Sequence, residues 1–225
     1  DGKPVWKTDV LKETGAKNSQ WGIATSAVIH DNLVLLNIGT KGTALDKTTG
    51  KVVWSSKGEQ GYASPVVFEF QGKTCLFLFS EKTLEMVEAK TGKSISSYKW
   101  KTKYGVNGGD PLLVPGNKVF ISTGYKRGCT LLDYSSGKLE KVWENNLIQS
   151  HFGSCVQIGR EIYGIDGQTK SKGFLRCISV ENGSEKWSTQ IGFGSLMAAD
   201  GKLIVLDEKG TLHFAKAIPD KYVEI

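Results

Sequence analysis

The chain has 225 residues, with 27 Gly, 6 Trp, 5 Pro and 4 Cys. Its hydrophobic share of 39% supplies a sizeable core and excludes a disordered chain. The glycines follow no every-third-residue period, which excludes collagen, and no apolar run approaches the ~20 residues of a membrane helix. Net charge is +6, but the 26 Lys and 3 Arg are spread along the whole length. A solvated Lys-rich rim accounts for that pattern, and nucleic acid is not an expected partner.

In chain order, the sequence opens on Asp1-Gly2-Lys3 without a Met or an apolar leader, the look of a mature, trimmed or excised chain. An outer strand is predicted over Pro4–Val10, carrying Trp6, with a linker to residue 20. Four short strands follow, near Ile23–Ile29, Leu33–Ile38, Gly42–Asp46 and Val52–Ser56. The pattern then recurs. Second strands begin at Leu33, Thr74, Lys118, Glu161 and Lys202, spaced 41, 44, 43 and 41 residues apart, each after a turn pair such as Asp31-Asn32 or Asp200-Gly201. Fourth strands are expected at Ile95–Lys101, Glu140–Asn145, Glu185–Thr189 and Tyr222–Ile225. Trp6, Trp54, Trp100, Trp143 and Trp187 keep step at spacings of 48, 46, 43 and 44. Before each stands a turn glycine (Gly2, Gly50, Gly92, Gly137, Gly183), and an acid lies four residues ahead of three of these glycines: Asp46, Glu88 and Asp133. No segment sustains a 3.6-residue apolar period, so helices should be few.

Four strands every 41–48 residues is the arithmetic of β-propeller blades. A β-sandwich does not predict several registers that hold over four or five copies. The expectation is therefore an all-β propeller of four-stranded antiparallel blades in one domain over residues 1–225. Its blades fall near 21–60, 61–105, 106–149, 150–192 and 193–225, and residues 1–20 form the outer strand of a preceding blade plus a linker. Either the orphan strand closes a five-bladed ring or the chain is a piece of a ring of seven or eight blades; the missing start favours the piece.

The segment Ala44-Leu-Asp-Lys-Thr-Thr-Gly-Lys-Val-Val-Trp54 resembles the repeat of pyrroloquinoline-quinone (PQQ)-like β-propellers. Trp6, Trp143 and Trp187 follow the same motif, and Trp100 arrives four residues late. The resemblance implies a tryptophan-docking role, in which each of the five indoles packs against the neighbouring blade. It also implies a bacterial periplasmic or secreted setting. The fold leaves the activity open.

Three classes of function compete. PQQ-dependent alcohol or sugar dehydrogenases, as the resemblance describes them, need calcium on acid and amide ligands, a catalytic Asp, a Trp floor and often an adjacent Cys pair. Cys75, Cys129, Cys155 and Cys177 are far apart, and only Asn107 and Asp110 share a loop. Asp166 reads as a turn or cap acid. PQQ with calcium therefore belongs to the alternative reading alone, and otherwise no cofactor and no metal site is expected. A hydrolase fares no better, since no Gly-x-Ser-x-Gly elbow exists and His151 is the one histidine placed for chemistry. No catalytic residue is assigned.

The remaining class is a binding or scaffold propeller. The loops entering each inner strand carry Trp21-Gly22, Gly61-Tyr62, Tyr104-Gly105, His151-Phe152-Gly153 and Phe193-Gly194. At a channel mouth, Gly permits close backbone approach and aromatic rings give flat contacts, though the same rings also simply fill a mouth. Basic residues beyond second strands, Lys41, Lys126 and Arg127, would face an anionic ligand or solvent. The expected site for a protein or small-molecule partner is thus Trp21, Tyr62, Tyr104, Asn107, Asp110, His151, Phe152, Lys41, Lys126 and Arg127.

Overall fold

A computed structural model describes residues 2–168 and 172–225. Asp1 of the expected Asp1-Gly2 turn lies outside the described residues. By contacts the chain forms two compact units, Asp1–Lys101 with Gly105–Asn107, and Thr102–Tyr104 with Gly108–Ile225.

The first unit opens with α1 (Val10–Thr14), whose Asp9 side chain accepts from the Lys12 amide and whose Gly15 closes the C-terminus at φ 68°. Two four-stranded antiparallel sheets follow. Sheet 1 is β1 (Val28–His30), β2 (Leu33–Leu36), β3 (Thr43–Asp46) and β4 (Val52–Ser55). Sheet 2 is β5 (Val66–Phe70), β6 (Lys73–Phe79), β7 (Thr83–Glu88) and β8 (Ser94–Lys99). The second unit holds sheet 3, made of β9 (Leu112–Val114), β10 (Lys118–Thr123), β11 (Gly128–Asp133) and β12 (Glu140–Asn145). Sheet 4 is β13 (Val156–Ile158), β14 (Glu161–Asp166), β15 (Phe174–Ser179) and β16 (Glu185–Gln190). Sheet 5 has three strands, β17 (Gly194–Ala199), β18 (Lys202–Asp207) and β19 (Leu212–Lys216). Every pairing is between consecutive strands, the meander of a propeller blade.

Two expected outer strands differ. Pro4–Val10 is not a strand: no neighbouring edge takes up its backbone groups, and its last residue starts α1. Tyr222–Ile225 makes a single bridge, Glu224 to Ala215, so sheet 5 has only the beginning of a fourth strand. Pro219 stands where the other copies have a Thr or an Asn before the turn glycine.

The turns explain the glycines. Asp46 Oδ1 accepts from the amides of Thr48 and Thr49, and Gly50, at φ 70°, donates to the Asp46 carbonyl. These contacts hold the Asp46 carboxyl below its usual range, led by the Thr49 amide. Glu88 and Gly92 repeat the backbone geometry. Asn182, part of a formal glycosylation sequon, accepts from the Ser184 amide as a turn residue.

The tryptophans bind these turns. Trp54 Nε1 donates to the Ala89 carbonyl at 2.9 Å, and a Cβ on Gly92 would lie 2.5 Å from the indole. Trp6 does the same to the Lys47 carbonyl over Gly50, and Trp143 to the Val180 carbonyl over Gly183. Trp187 donates to the Ile218 carbonyl. Trp100 is wholly buried. A pairing shift recurs in every four-stranded sheet, at Ala44/Leu45, Met86/Val87, Leu131/Leu132 and Cys177/Ile178. This β-bulge sits just before the turn and sharpens the twist of the outer hairpin.

Apolar faces meet between sheets. Leu35, Ala44, Leu76, Leu78 and Val87 form the core of the first unit. In the second, Phe120, Leu131, Ile162 and Ile178 form one core, and Tyr163, Leu175, Leu203 and Val205 form another. The four cysteines are free and buried. Burial pushes the Cys129 thiol up to about 12 and the other three to about 11, so all stay protonated and unreactive at neutral pH.

Trp54→Ala removes both the indole packing and its hydrogen bond, and should cost about 3–5 kcal/mol in urea unfolding. Gly92→Ala should also destabilise, because the new methyl meets the Trp54 ring and the φ of 67° disfavours a side chain. Unchanged midpoints for both would overturn this role.

Candidate functional site

The structure distributes the ten expected site residues over both units. In the first, Trp21 is exposed and its ring lies 6.3 Å from that of Tyr62, tilted by 60°. Lys41 lies between Gly39 and Gly42, with its amide bonded to Ser56 Oγ. Asn107 is fully buried, and its amide nitrogen donates to the carbonyls of Ser80, Glu81 and Trp100. Its backbone carbonyl accepts from Tyr62 and Ala63. Asn107 is therefore an internal tie of the first unit, while Asp110, half-buried, leads into β9 of the second.

The second unit assembles a contiguous aromatic cluster. Tyr104 meets Tyr125 edge-on with ring centres 5.0 Å apart, Tyr125 meets His151 at 4.9 Å, and His151 packs on Phe152 at 3.7 Å. The end rings, Tyr104 and Phe152, are each about half exposed, at 54% and 52%. Lys103 sits 5.2 Å over the Tyr104 ring. Two glycines make room: a Cβ on Gly108 would meet Phe152 at 2.9 Å, and one on Gly124 would meet His151 at 3.4 Å and Gln168 at 2.9 Å.

Tyr125 was not singled out from the sequence, although it lies within Gly124-Tyr-Lys-Arg-Gly128. It carries the arrangement. Tyr125 and Lys126 have φ of 59° and 62°, and the Arg127 amide bonds back to the Gly124 carbonyl. Two consecutive left-handed residues make the tight hairpin turn that ordinarily takes Asn-Gly. Neither Tyr nor Lys favours this region, at roughly 1–2 kcal/mol per residue. The strained turn sets Tyr125 Oη 2.7 Å from His151 Nε2. The preference for aromatic over turn-forming side chains is the signal a reader of the sequence would use.

Lys126 points to solvent from the same turn, whereas Arg127 is committed to Glu144 at 2.6 Å. The Arg127 guanidinium holds the Glu144 carboxyl below its usual range. Asp166 accepts from the Gln149 amide and from Arg176, the capping role expected of it.

Burial lowers the His151 pKa from its ordinary value. Its Nδ1 is buried without a hydrogen-bond partner. A proton there would be an orphaned donor, so the tautomer with Nε2–H donating to Tyr125 and a bare Nδ1 is favoured. Such a ring orients a hydroxyl but is a poor proton store at neutral pH.

A second concavity lies in the first unit, where turns of sheets 1 and 2 meet. It has a volume of about 710 Å³ and is lined by His30, Asp31, Leu33, Lys73, Glu88 and Lys90 among others. Lys73 pairs with Glu88 across it, and that hydrogen bond holds Glu88 below the usual carboxylate range. The acids that shape its wall are the turn formers of the repeat, so this groove follows from the outer hairpins themselves.

Calcium with a quinone needs a convergent donor set. Among the described residues no three His, Cys, Asp or Glu side chains gather as such a set. Asn107 spends its amide hydrogens on the backbone. The residues present do not fit that cofactor.

The His151 shift predicts a pH dependence with a definite sign. The unfolded chain takes a proton on this ring near the ordinary value of 6.5, and the folded chain does so only at lower pH. Stability should be full above about pH 6.5 and fall as the solution is acidified toward the folded value. Melting temperatures of wild type and His151→Gln, followed from pH 7.5 to about 5, should diverge as the pH drops, with the wild type losing more. Parallel curves would contradict the assignment.

The family model for PQQ-like repeats, described as outer membrane protein assembly factor BamB, matches residues 1–189. BamB from Moraxella catarrhalis has a similar structure, with 16% identity and a TM-score of 0.66 over 91% of this chain and 64% of that one. Quinohemoprotein alcohol dehydrogenase from Comamonas testosteroni is similar at 13% identity and a TM-score of 0.66, over 93% of this chain and 43% of that one. Quinohemoprotein alcohol dehydrogenase ADHIIG from Pseudomonas putida HK5 follows at 14% identity and 0.61, over 89% and 41%. The chain thus spans less than two thirds of each of these structures, and at such identities the likeness is one of fold. No curated protein matches it. With its repeated four-stranded meanders, the chain belongs to the family of PQQ-like β-propeller repeats.

Proposed function

We propose that this chain is a non-catalytic binding or scaffold propeller of an exported bacterial protein, engaging a protein or small-molecule partner through its loops. The observation that carries this reading is the aromatic cluster Tyr104–Tyr125–His151–Phe152, held by a turn that is strained at Tyr125 and Lys126. Strain at a loop tip with exposed rings is a common mark of a binding surface. Tyr104 and Phe152 offer flat contact area at little entropic cost, and Lys103 and Lys126 give the rim a positive sign. The tryptophans act as docking residues that keep the sheets in place beneath these loops. The likeness to BamB, named an outer membrane assembly factor, supports the exported setting.

The quinoprotein reading shares the fold but finds no donor set here. Incubation with PQQ and calcium should give no bound-quinone absorption band and no dye-linked alcohol oxidation. A band with turnover would replace the scaffold reading by the dehydrogenase one.

The strain gives a second test. Replacing Tyr125-Lys126 by Asn-Gly should raise stability by about 1 kcal/mol or more. The same change should weaken capture of any partner selected from a displayed peptide library on the wild-type protein at least tenfold. Tyr104→Ala with Phe152→Ala should lose that capture at unchanged stability. Selected binders that ignore all four changes would place the surface elsewhere.

A further inference from the structure

The last sheet leaves an apolar face open. Pairing aligns Met197 with Ile204 and Ile204 with Phe214, and aligns Leu206 with Leu212, on one side of sheet 5. Met197, Leu206, Leu212 and Phe214 are 57%, 50%, 52% and 40% exposed. The opposite side, with Leu203, Val205 and Ala215, packs on Tyr163, Ile165, Leu175 and Cys177 of sheet 4.

The repeat says what such a face is for. In sheet 4, Val156 pairs with Tyr163, Tyr163 with Cys177, and Ile165 with Leu175. Position for position, these match Met197, Ile204, Phe214, Leu206 and Leu212 of sheet 5. In sheet 4 that side is covered by the following sheet, and sheet 1 is covered in the same way by sheet 2. The natural occupant of the sheet 5 face is therefore the opposite face of another sheet of this repeat.

Sheet 1 carries a face of that kind. Ile29, Val34 and Leu45 align across β1, β2 and β3 as Ala198, Leu203 and Ala215 align across sheet 5. Ile29 stands 65% exposed. The turn beside this face already holds an indole, Trp6, which a preceding sheet would otherwise lend. The sheet 5 side, in turn, has Tyr222 where the other copies place Trp.

We propose that the open face of sheet 5 docks onto the Ile29 side of sheet 1 of a second copy of this chain. The contact is heterologous, since the two surfaces differ, so it joins copies head to tail. Contiguous exposed apolar area of this kind marks an association surface.

Light scattering after size-exclusion chromatography tests this on the whole chain. Wild type should show a mass that rises with concentration beyond the monomer. Met197→Lys with Leu206→Lys, or independently Leu212→Lys, should be monomeric, and so should Ile29→Lys. All these positions are exposed, so circular dichroism and urea midpoints should stay near wild type and identify any variant that fails to fold. An equimolar mixture of the Met197→Lys/Leu206→Lys and Ile29→Lys proteins should form a species of twice the monomer mass and no larger. Each variant retains the surface the other lacks, and the chain of contacts stops after one. Wild type that stays monomeric at every concentration overturns the proposal. Association that survives these substitutions, or a mixture of folded variants that stays monomeric, overturns it as well.

Discussion

The packing of an indole over the turn glycine of a neighbouring unit is the contact on which the rest depends. The turn needs a positive φ, and the ring leaves no room for a Cβ, so two independent requirements converge on Gly50, Gly92 and Gly183. The indole N–H is satisfied by a carbonyl of the same turn, so a large apolar ring is brought into the contact without an orphaned donor. The acid four residues before the glycine holds the turn in shape by accepting its amides, as Asp46 does. Turn, acid, glycine and tryptophan form one device, copied with the repeat.

That device frees the opposite ends of the strands. The sheets are kept in place by outer turns and apolar faces, so the loops entering the inner strands carry little structural duty and can hold unusual residues. The Tyr125-Lys126 turn shows this: it keeps two side chains in a backbone region that neither favours, and the result is a buried Tyr125–His151 hydrogen bond between two half-exposed rings. One repeat thus serves stability at its outer edge and recognition at its loops.

Much of the fold was legible because its signals are local and repeated. Second strands start where the turn pairs end, and the tryptophan spacing predicts the outer hairpins. The bulge before each outer turn was not legible, since a one-residue pairing shift leaves no mark in a pattern of period two. Pro4–Val10 reads as a strand by its Trp and turn, but strand formation needs a partner edge, which no sequence pattern supplies. The site was legible in part. His151, Phe152 and Tyr104 do meet, whereas Asn107, polar and in a Gly-rich loop, proves to be an internal tie. Arg127 proves to be half of an ion pair.

By itself the sequence determined the unit of construction: strand length, turn position, the residues that hold each hairpin, and hence the family. These depend on neighbours within about one repeat, where spacing is geometry. Tertiary structure decided which side chains with the same local signature would differ in duty. Burial, a carbonyl within reach, or a facing carboxylate separates Asn107 from Asp110 and Arg127 from Lys126. It also decided that the face of sheet 5 stays open while the equivalent face of sheet 4 is closed. The two read alike as alternating apolar strands, and only the presence or absence of a following sheet tells them apart.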